Sequence, residues 1–161
     1  MSLCIFETTI GYLGVQVAQG KITRIILPNQ VPSIHPRGEE SELHLEAFHQ
    51  LREYFAGHRK DFVLPLELIG TPFQTSVWKQ LQRIPYGEVS SYASIAQAIG
   101  NPKGVRAVGG ANARNPIPIV VPCHRVIGKD NSMVGYGGGL RLKEQLLTLE
   151  GVLEQCLNLS T

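Results

Sequence analysis

The segment Leu140–Glu150 is the strongest constraint on how this chain can fold. At about 100° per residue, Leu140, Lys143, Leu146, Leu147 and Glu150 share one stripe of a helix, which sets a cation and a carboxylate near its apolar centre. Burying either charge without a partner is costly. The two lie about 10.5 Å apart along the axis at roughly 1.5 Å per residue, too far to satisfy each other. Each therefore needs its own partner from elsewhere in the chain, unless it snorkels to water at the helix edge.

One such partner stands upstream. Ile117-Pro118-Ile119-Val120-Val121-Pro122 is an apolar run interrupted and then ended by proline, and it delivers Cys123-His124-Arg125-Val126. The prolines restrict how the chain approaches that point. A thiol is a nucleophile as the thiolate, and an imidazole held by a carboxylate is the usual device for lowering its pKa. A Cys-His dipeptide alone is weak, because adjacent side chains often point apart and a buried cysteine is commonly inert filling. Glu150 orienting His124, with Lys143 as a donor toward a substrate, would resolve both buried charges at once.

The rest of the chain reads as α+β: a small N-terminal antiparallel sheet-and-helix lobe, then a mostly helical C-terminal lobe with a helix-turn-helix. From Cys4 to Leu27 short apolar runs alternate with Gly11, Gly14 and Gly20, the pattern of hairpins. Pro28 to Gly38 reads as a loop. Ser41 caps a helix whose Leu45, Phe48, Leu51 and Phe55 recur at helical spacing until Gly57, and Asp61–Leu68 reads as extended. Composition shifts at Ile69-Gly70-Thr71-Pro72, so the boundary is placed between residues 1–70 and 71–161. Thr71 and Pro72 open a helix carrying Phe73, Val77, Leu81 and Ile84, closed by Pro85-Tyr86-Gly87.

Ser91 caps a short helix from Tyr92 to Ile99, stopped at Gly100, and Asn101-Pro102 is read as starting another that runs to about Ala113. On the second helix Val105 and Val108 fall on one side, with Lys103, Arg106, Ala107, Gly110 and Arg114 on the other. A basic face of small residues suits phosphates, although a solvated charged face would look the same. The three glycines Gly104, Gly109 and Gly110 weaken the helix by about 1 kcal/mol each, so something besides helix stability accounts for them.

A formal net charge of +2 does not by itself point to a polyanionic partner. Cys4, Cys123 and Cys156 are an odd set without CxxC spacing, which argues against a disulfide framework and for a reducing compartment. His35, His44, His49 and His58 have only Cys4 for company, an incomplete ligand set, and no metal or other cofactor is expected. Neither a signal peptide nor a membrane span is expected, hence an intracellular protein.

These residues resemble the O6-alkylguanine-DNA alkyltransferases, or methylated-DNA protein-cysteine methyltransferases. The resemblance runs from Pro72 through Gly151. It is carried by Pro122-Cys123-His124-Arg125-Val126, flanked by Arg106-Ala107-Val108-Gly109-Gly110, Asn115-Pro116 and Gly138-Gly139-Leu140. It implies a DNA repair protein that flips O6-alkylguanine, and O4-alkylthymine as well, out of the duplex and takes the alkyl group irreversibly onto Cys123. By resemblance His124 activates Cys123 through a water and Glu150 holds the imidazole. Tyr92 supports base rotation and donates a proton, and Lys143 lies near the guanine O6. Asn115 links the recognition helix to the acceptor segment. Arg106 is a finger entering the stack from the minor groove, while Asn101, Lys103, Ala107, Gly110 and Lys129 lie toward the DNA. The backbone of Cys123 and Val126 reads the base edge, and Tyr136 walls the alkyl pocket.

The resemblance further implies a monomer acting on double-stranded DNA, cytoplasmic in a bacterium or archaeon and nuclear in a eukaryote. Some relatives bind zinc through paired Cys and His in the N-terminal lobe, a feature that a single Cys there does not support. Gly137 stands where many relatives have a serine. Two other classes remain open at this point: a lesion-binding module without chemistry, suggested by the helix face, and a cysteine hydrolase, suggested by the thiol and imidazole.

Overall fold

The alternation between Cys4 and Leu27 resolves into three antiparallel strands, β1 (Ser2–Thr8), β2 (Gly11–Ala18) and β3 (Lys21–Ile26), ordered β1-β2-β3. One face of this sheet buries Leu13, Val15, Ile22 and Ile25 completely or nearly so. The computed structural model describes residues 1–35, 38–128 and 135–152; Lys129 and Cys156 lie outside the described residues. The chain divides into two units, Met1–Ile69 with Pro116–Pro118, and Gly70–Asn115 with the chain from Ile119 onward.

In the first unit helix α1 (Glu42–Phe55) starts at Ser41, whose hydroxyl accepts from the His44 amide. The His44 ring returns the favour, with Nδ1 accepting from the Ser41 N–H at 3.0 Å and Nε2 lying 3.0 Å from the Ser2 carbonyl, so this buried histidine is consumed by structure. The buried face is His44, Ala47, Phe48, Gln50, Leu51 and Tyr54, with Leu45 53% exposed and Phe55 half-buried. The expected stripe was therefore rotated: on the wheel Leu45 stands roughly 140° from the centre of the face that packs. The extended reading of Asp61–Leu68 reduces to one parallel bridge, Ile22 to Leu66. Gln50 also stands in for a strand there, donating to the Val63 carbonyl at 3.0 Å and accepting from its amide at 2.9 Å.

In the second unit, α2 (Pro72–Leu81) is capped by Thr71 and buries Val77, Trp78 and Leu81. It stops short of the expected closure at Pro85; Ile84 is buried from the turn that follows. Strand β4 (Ser90–Ser91) leads into α3 (Tyr92–Ala98), capped by Ser91. At its end Gly100 takes φ +78, with Asn101 N–H bonding Ala96 O at 2.9 Å and Gly100 N–H bonding Gln97 O at 3.1 Å, the Schellman pattern. The next helix, α4 (Val105–Ala113), does not begin at Asn101-Pro102 as the sequence suggested. Residues 101–104 form a turn closed by Gly104 N–H to Asn101 O at 2.9 Å. Proline fits a turn as readily as a first helical position, so Lys103 leaves the helix face assigned to it and Val105 becomes 39% exposed.

Strand β5 (Val126–Ile127) pairs in parallel with β4, and α5 (Leu140–Leu149) completes the unit. Among the described residues no helix is long and apolar enough to cross a membrane.

Trp78 is the peg of this second unit. Its indole is 1% exposed, and Nε1 donates to the Ala111 carbonyl of α4 at 2.8 Å. A Cβ on Gly70 would lie 2.5 Å from the indole ring. Gly70→Ala is expected to destabilise the protein by about 1–3 kcal/mol through overpacking, read as a lower urea midpoint with unchanged slope.

Candidate active site

The acceptor segment is shaped by its prolines. Pro122 has φ −82 and ψ 66, an inverse γ-turn in which Cys123 N–H bonds Val121 O at 2.8 Å. One 3₁₀ turn, Cys123–Arg125, follows and runs directly into β5. Four residues before Cys123, Ile119 adopts φ 73, an unusual conformation for a β-branched side chain that is fully buried. Two asparagines tie α4 and its end to this segment: Asn115 Nδ2 donates to Val121 O at 2.7 Å, and Asn112 Nδ2 to Cys123 O at 3.5 Å. The pairing of Ser90–Ser91 with Val126–Ile127 fixes the start of α3, and so Tyr92, beside the same turn.

The two charges of α5 are both buried, with Lys143 0% and Glu150 5% exposed. They have separate partners. Lys143 Nζ donates to Val126 O at 2.6 Å. Glu150 is the C-cap of α5, followed by Gly151 at φ +80, whose amide and that of Val152 bond back to Thr148 O and Leu147 O. That left-handed closure ends the helix and leaves the carboxylate facing His124 and Arg125. Oε2 lies 2.8 Å from His124 Nε2, Arg125 Nε donates to Oε1 at 2.8 Å and Nη2 to Oε2 at 3.0 Å, and the Gly87 amide reaches Oε1 at 3.4 Å.

A carboxylate accepts, so Nε2 of His124 carries the hydrogen and Nδ1 is the basic nitrogen; Nδ1 is buried with no hydrogen-bond partner among the described residues. Burial lowers the imidazole's pKa, against the hydrogen bond and charge of Glu150, which raise it. The ring is neutral at neutral pH. Burial alone would raise Glu150, but the hydrogen bonds from His124 and Arg125 outweigh it and hold the carboxyl at about 2. Lys143 is brought down to about 8 by burial, the charge of Cys123 opposing.

Cys123 departs from the sequence expectation. Burial pushes its thiol up to about 11, with the Asn115 hydrogen bond, the Lys143 charge and the Tyr136 hydroxyl pulling the other way. The resting sulfur is therefore a protonated thiol, not the thiolate expected from the sequence. Tyr92 is half-buried, its phenol raised by burial and by Cys123 and lowered by a hydrogen bond from Asn112.

Cys123, His124, Glu150, Lys143, Tyr136, Tyr92, Asn115 and Val126 thus belong to one neighbourhood of the second unit. Arg106 and Ala107 are exposed on α4, with Gly110 half-buried beside them and Val108 and Ala111 buried behind. Asn101 and Lys103 are exposed in the turn before it. Sequence reasoning missed three contributors. Arg125, a residue of the Cys-His motif, binds Glu150 twice and Ile84 O at 2.6 Å. Tyr86 lies under its guanidinium at 5.8 Å, and Asn112 joins Tyr92 to the Cys123 backbone. The signal for Arg125 was available: an arginine beside an imidazole that needs a buried carboxylate can share it.

The family described as 6-O-methylguanine DNA methyltransferase, DNA binding domain, matches residues 72–152. The constitutive methylated-DNA–protein-cysteine methyltransferase of Bacillus subtilis is 48% identical over 153 residues, covering 91% of this chain and 93% of its own. A methylated-DNA–protein-cysteine methyltransferase of Methanosarcina acetivorans is 57% identical over 113 residues, covering 70% of this chain and 72% of its own. Among solved structures, Mycobacterium tuberculosis OGT in complex with DNA superposes with a TM-score of 0.86 at 43% identity, covering 93% of this chain and 92% of that one.

The depressed carboxyl of Glu150 makes a pH-dependent contribution to stability. Above the ordinary carboxyl value of 4.5 it is fully present, and it is lost as pH falls toward about 2, where the folded state also takes the proton. The difference corresponds to roughly 3 kcal/mol. In urea titrations, the stability gap between wild type and Glu150→Gln is expected to be widest at pH 6 and to close progressively between about pH 4.5 and pH 2. A gap independent of pH over that interval would contradict the charge-assisted role.

Proposed function

The chain belongs to the 6-O-methylguanine DNA methyltransferase family, and from that premise we propose how its own residues carry out repair of alkylated DNA. The reaction moves an alkyl group from the O6 of guanine to a cysteine of the protein. In this chain that cysteine is Cys123. Its sulfur forms a bond to the alkyl carbon as the carbon–O6 bond breaks, the thiol proton departs, and a proton returns to the base. The product is a thioether that no group among the described residues is placed to cleave, so each molecule acts once.

The observation that carries the assignment is the 2.8 Å contact between His124 Nε2 and Glu150, because it fixes the basic lone pair on Nδ1 in the residue adjoining the thiol. A thiol raised to about 11 is a poor nucleophile at neutral pH until a base relieves it of its proton, and a neutral imidazole is suited to do so through one water. Glu150 keeps that ring oriented and stabilises it once protonated. Tyr92 is the acid toward the base, Lys143 stabilises negative charge as it develops near O6, and Tyr136 bounds the alkyl group. The two competing classes lose ground here: a lesion-binding module has no use for this proton-transfer pair, and the relatives are named as protein-cysteine methyltransferases, not hydrolases.

The second unit is assigned DNA binding and alkyl acceptance. The partner is duplex DNA bound by a monomer, with α4 in the minor groove and Ala107 and Gly110 permitting close approach. Asn101 and Lys103 lie toward the phosphates, an assignment extended to Lys129 from its sequence position. Everting the lesion costs about a few kcal/mol, which Arg106 offsets by filling the vacated stack; O4-alkylthymine is a second substrate by the same route. A repair protein of this kind works inside the cell, in the cytoplasm of a bacterium or archaeon or in the nucleus of a eukaryote.

Incubation with a duplex carrying O6-methylguanine is expected to add one methylene to Cys123 by intact mass, stoichiometrically, and to leave Cys123→Ala unmodified. Absence of the adduct from wild type would sink the assignment. Arg106→Ala is expected to slow transfer from duplex DNA at least about tenfold while leaving transfer from the free base nearly unchanged. Equal losses on both substrates would remove Arg106 from the finger role.

A further inference from the structure

Asn112 is a poor choice for a structural residue. It is 6% exposed on α4, next to the Ala111 carbonyl that Trp78 holds, so its backbone is rigidly placed. Its Nδ2 faces the Cys123 carbonyl at 3.5 Å, a long hydrogen bond, and that carbonyl already takes the Val126 amide. Because a carbonyl oxygen only accepts, the amide can be oriented in one way alone, with Oδ1 on the other side. The contact with Tyr92 also comes from the N–H side, since donation is what favours a phenolate. Oδ1 is buried and has no hydrogen-bond partner among the described residues. A leucine, branched at the same carbon, would occupy the site without a stranded acceptor, so hydrogen bonding within the fold does not explain the asparagine.

The lesion supplies the missing donor. Alkylation of O6 removes the proton from N1, and the exocyclic amino group is then the only N–H donor on the pairing edge of the base. Whatever movement admits the base to a sulfur as buried as that of Cys123 also admits it to the amide bonded to the Cys123 backbone. We propose that Asn112 is a specificity-determining residue whose Oδ1 accepts from the exocyclic amino group of the everted alkylguanine while its Nδ2 stays on the Cys123 carbonyl. This rests on the alkyl-transfer reading above and adds a preference within it: alkylated bases with that amino group react faster than those without.

The test compares single-turnover transfer from duplexes carrying O6-methylguanine or O6-methylhypoxanthine, which differ only by the amino group. Wild type is expected to favour O6-methylguanine about tenfold, the scale of one hydrogen bond. Asn112→Leu is expected to lose that preference, reacting with O6-methylguanine as slowly as with O6-methylhypoxanthine, while melting no lower than wild type. Equal rates for both lesions in wild type overturn the inference without any variant. A preference that survives in Asn112→Leu, or a slowing of both lesions alike, also overturns it and leaves Asn112 as a support for Tyr92. No transfer from either lesion in wild type would instead defeat the reading of the protein as an alkyltransferase.

Discussion

A single buried carboxylate organises the second unit. Glu150 accepts from the imidazole of His124, from two nitrogens of Arg125 and from the Gly87 amide. Removing such a charge from water is expensive, and four donors at once are what make it tolerable. Through Arg125 the same carboxylate reaches Ile84 O and the Tyr86 ring, so it joins the end of α5, the turn after α2 and the acceptor turn into one electrostatic unit. Every functional geometry in the site descends from that arrangement: the tautomer of His124, the seat of its basic nitrogen and the rigidity of the residue that follows Cys123.

The electrostatics also show why this thiol can be stored safely. A low-pKa cysteine would be an exposed liability toward any electrophile, whereas burial keeps the Cys123 proton in place. The neutral imidazole of His124 stands in the adjoining residue. Lys143, whose pKa burial brings to about 8, adds positive field at the sulfur.

Much of this was legible in the sequence because it rests on local rules. The caps Ser41, Thr71 and Ser91, the stop at Gly100 and the misplaced charges Lys143 and Glu150 are each set within a turn or two of chain, and charge misplacement pointed to the separate partners that both charges have. What escaped needed three-dimensional context. A two-residue parallel pairing of β4 with β5 leaves no periodic trace, yet it sets Tyr92 by the acceptor turn. Leu45 looked like core because a wheel has no way to say which of two neighbouring faces will pack. Asn101-Pro102 satisfied the rules for a helix start, but the Schellman closure of α3 claimed Asn101 first. The thiol's pKa was misjudged for a similar reason: adjacency to histidine is visible in a sequence, and desolvation is not.

Ile119 holds a last consequence. A β-branched residue at positive φ stores about 1–3 kcal/mol that its own peptide would release at once if cut free. Glycine would relax the backbone and leave a hole where a fully buried side chain now packs; asparagine would accept the torsion and bring an amide into an apolar site. Neither demand can be met without breaching the other, so the loop behaves as a wound spring clamped by its surroundings. The shape of the acceptor loop is accordingly owned by the tertiary structure, and a peptide of this stretch alone would not reproduce it.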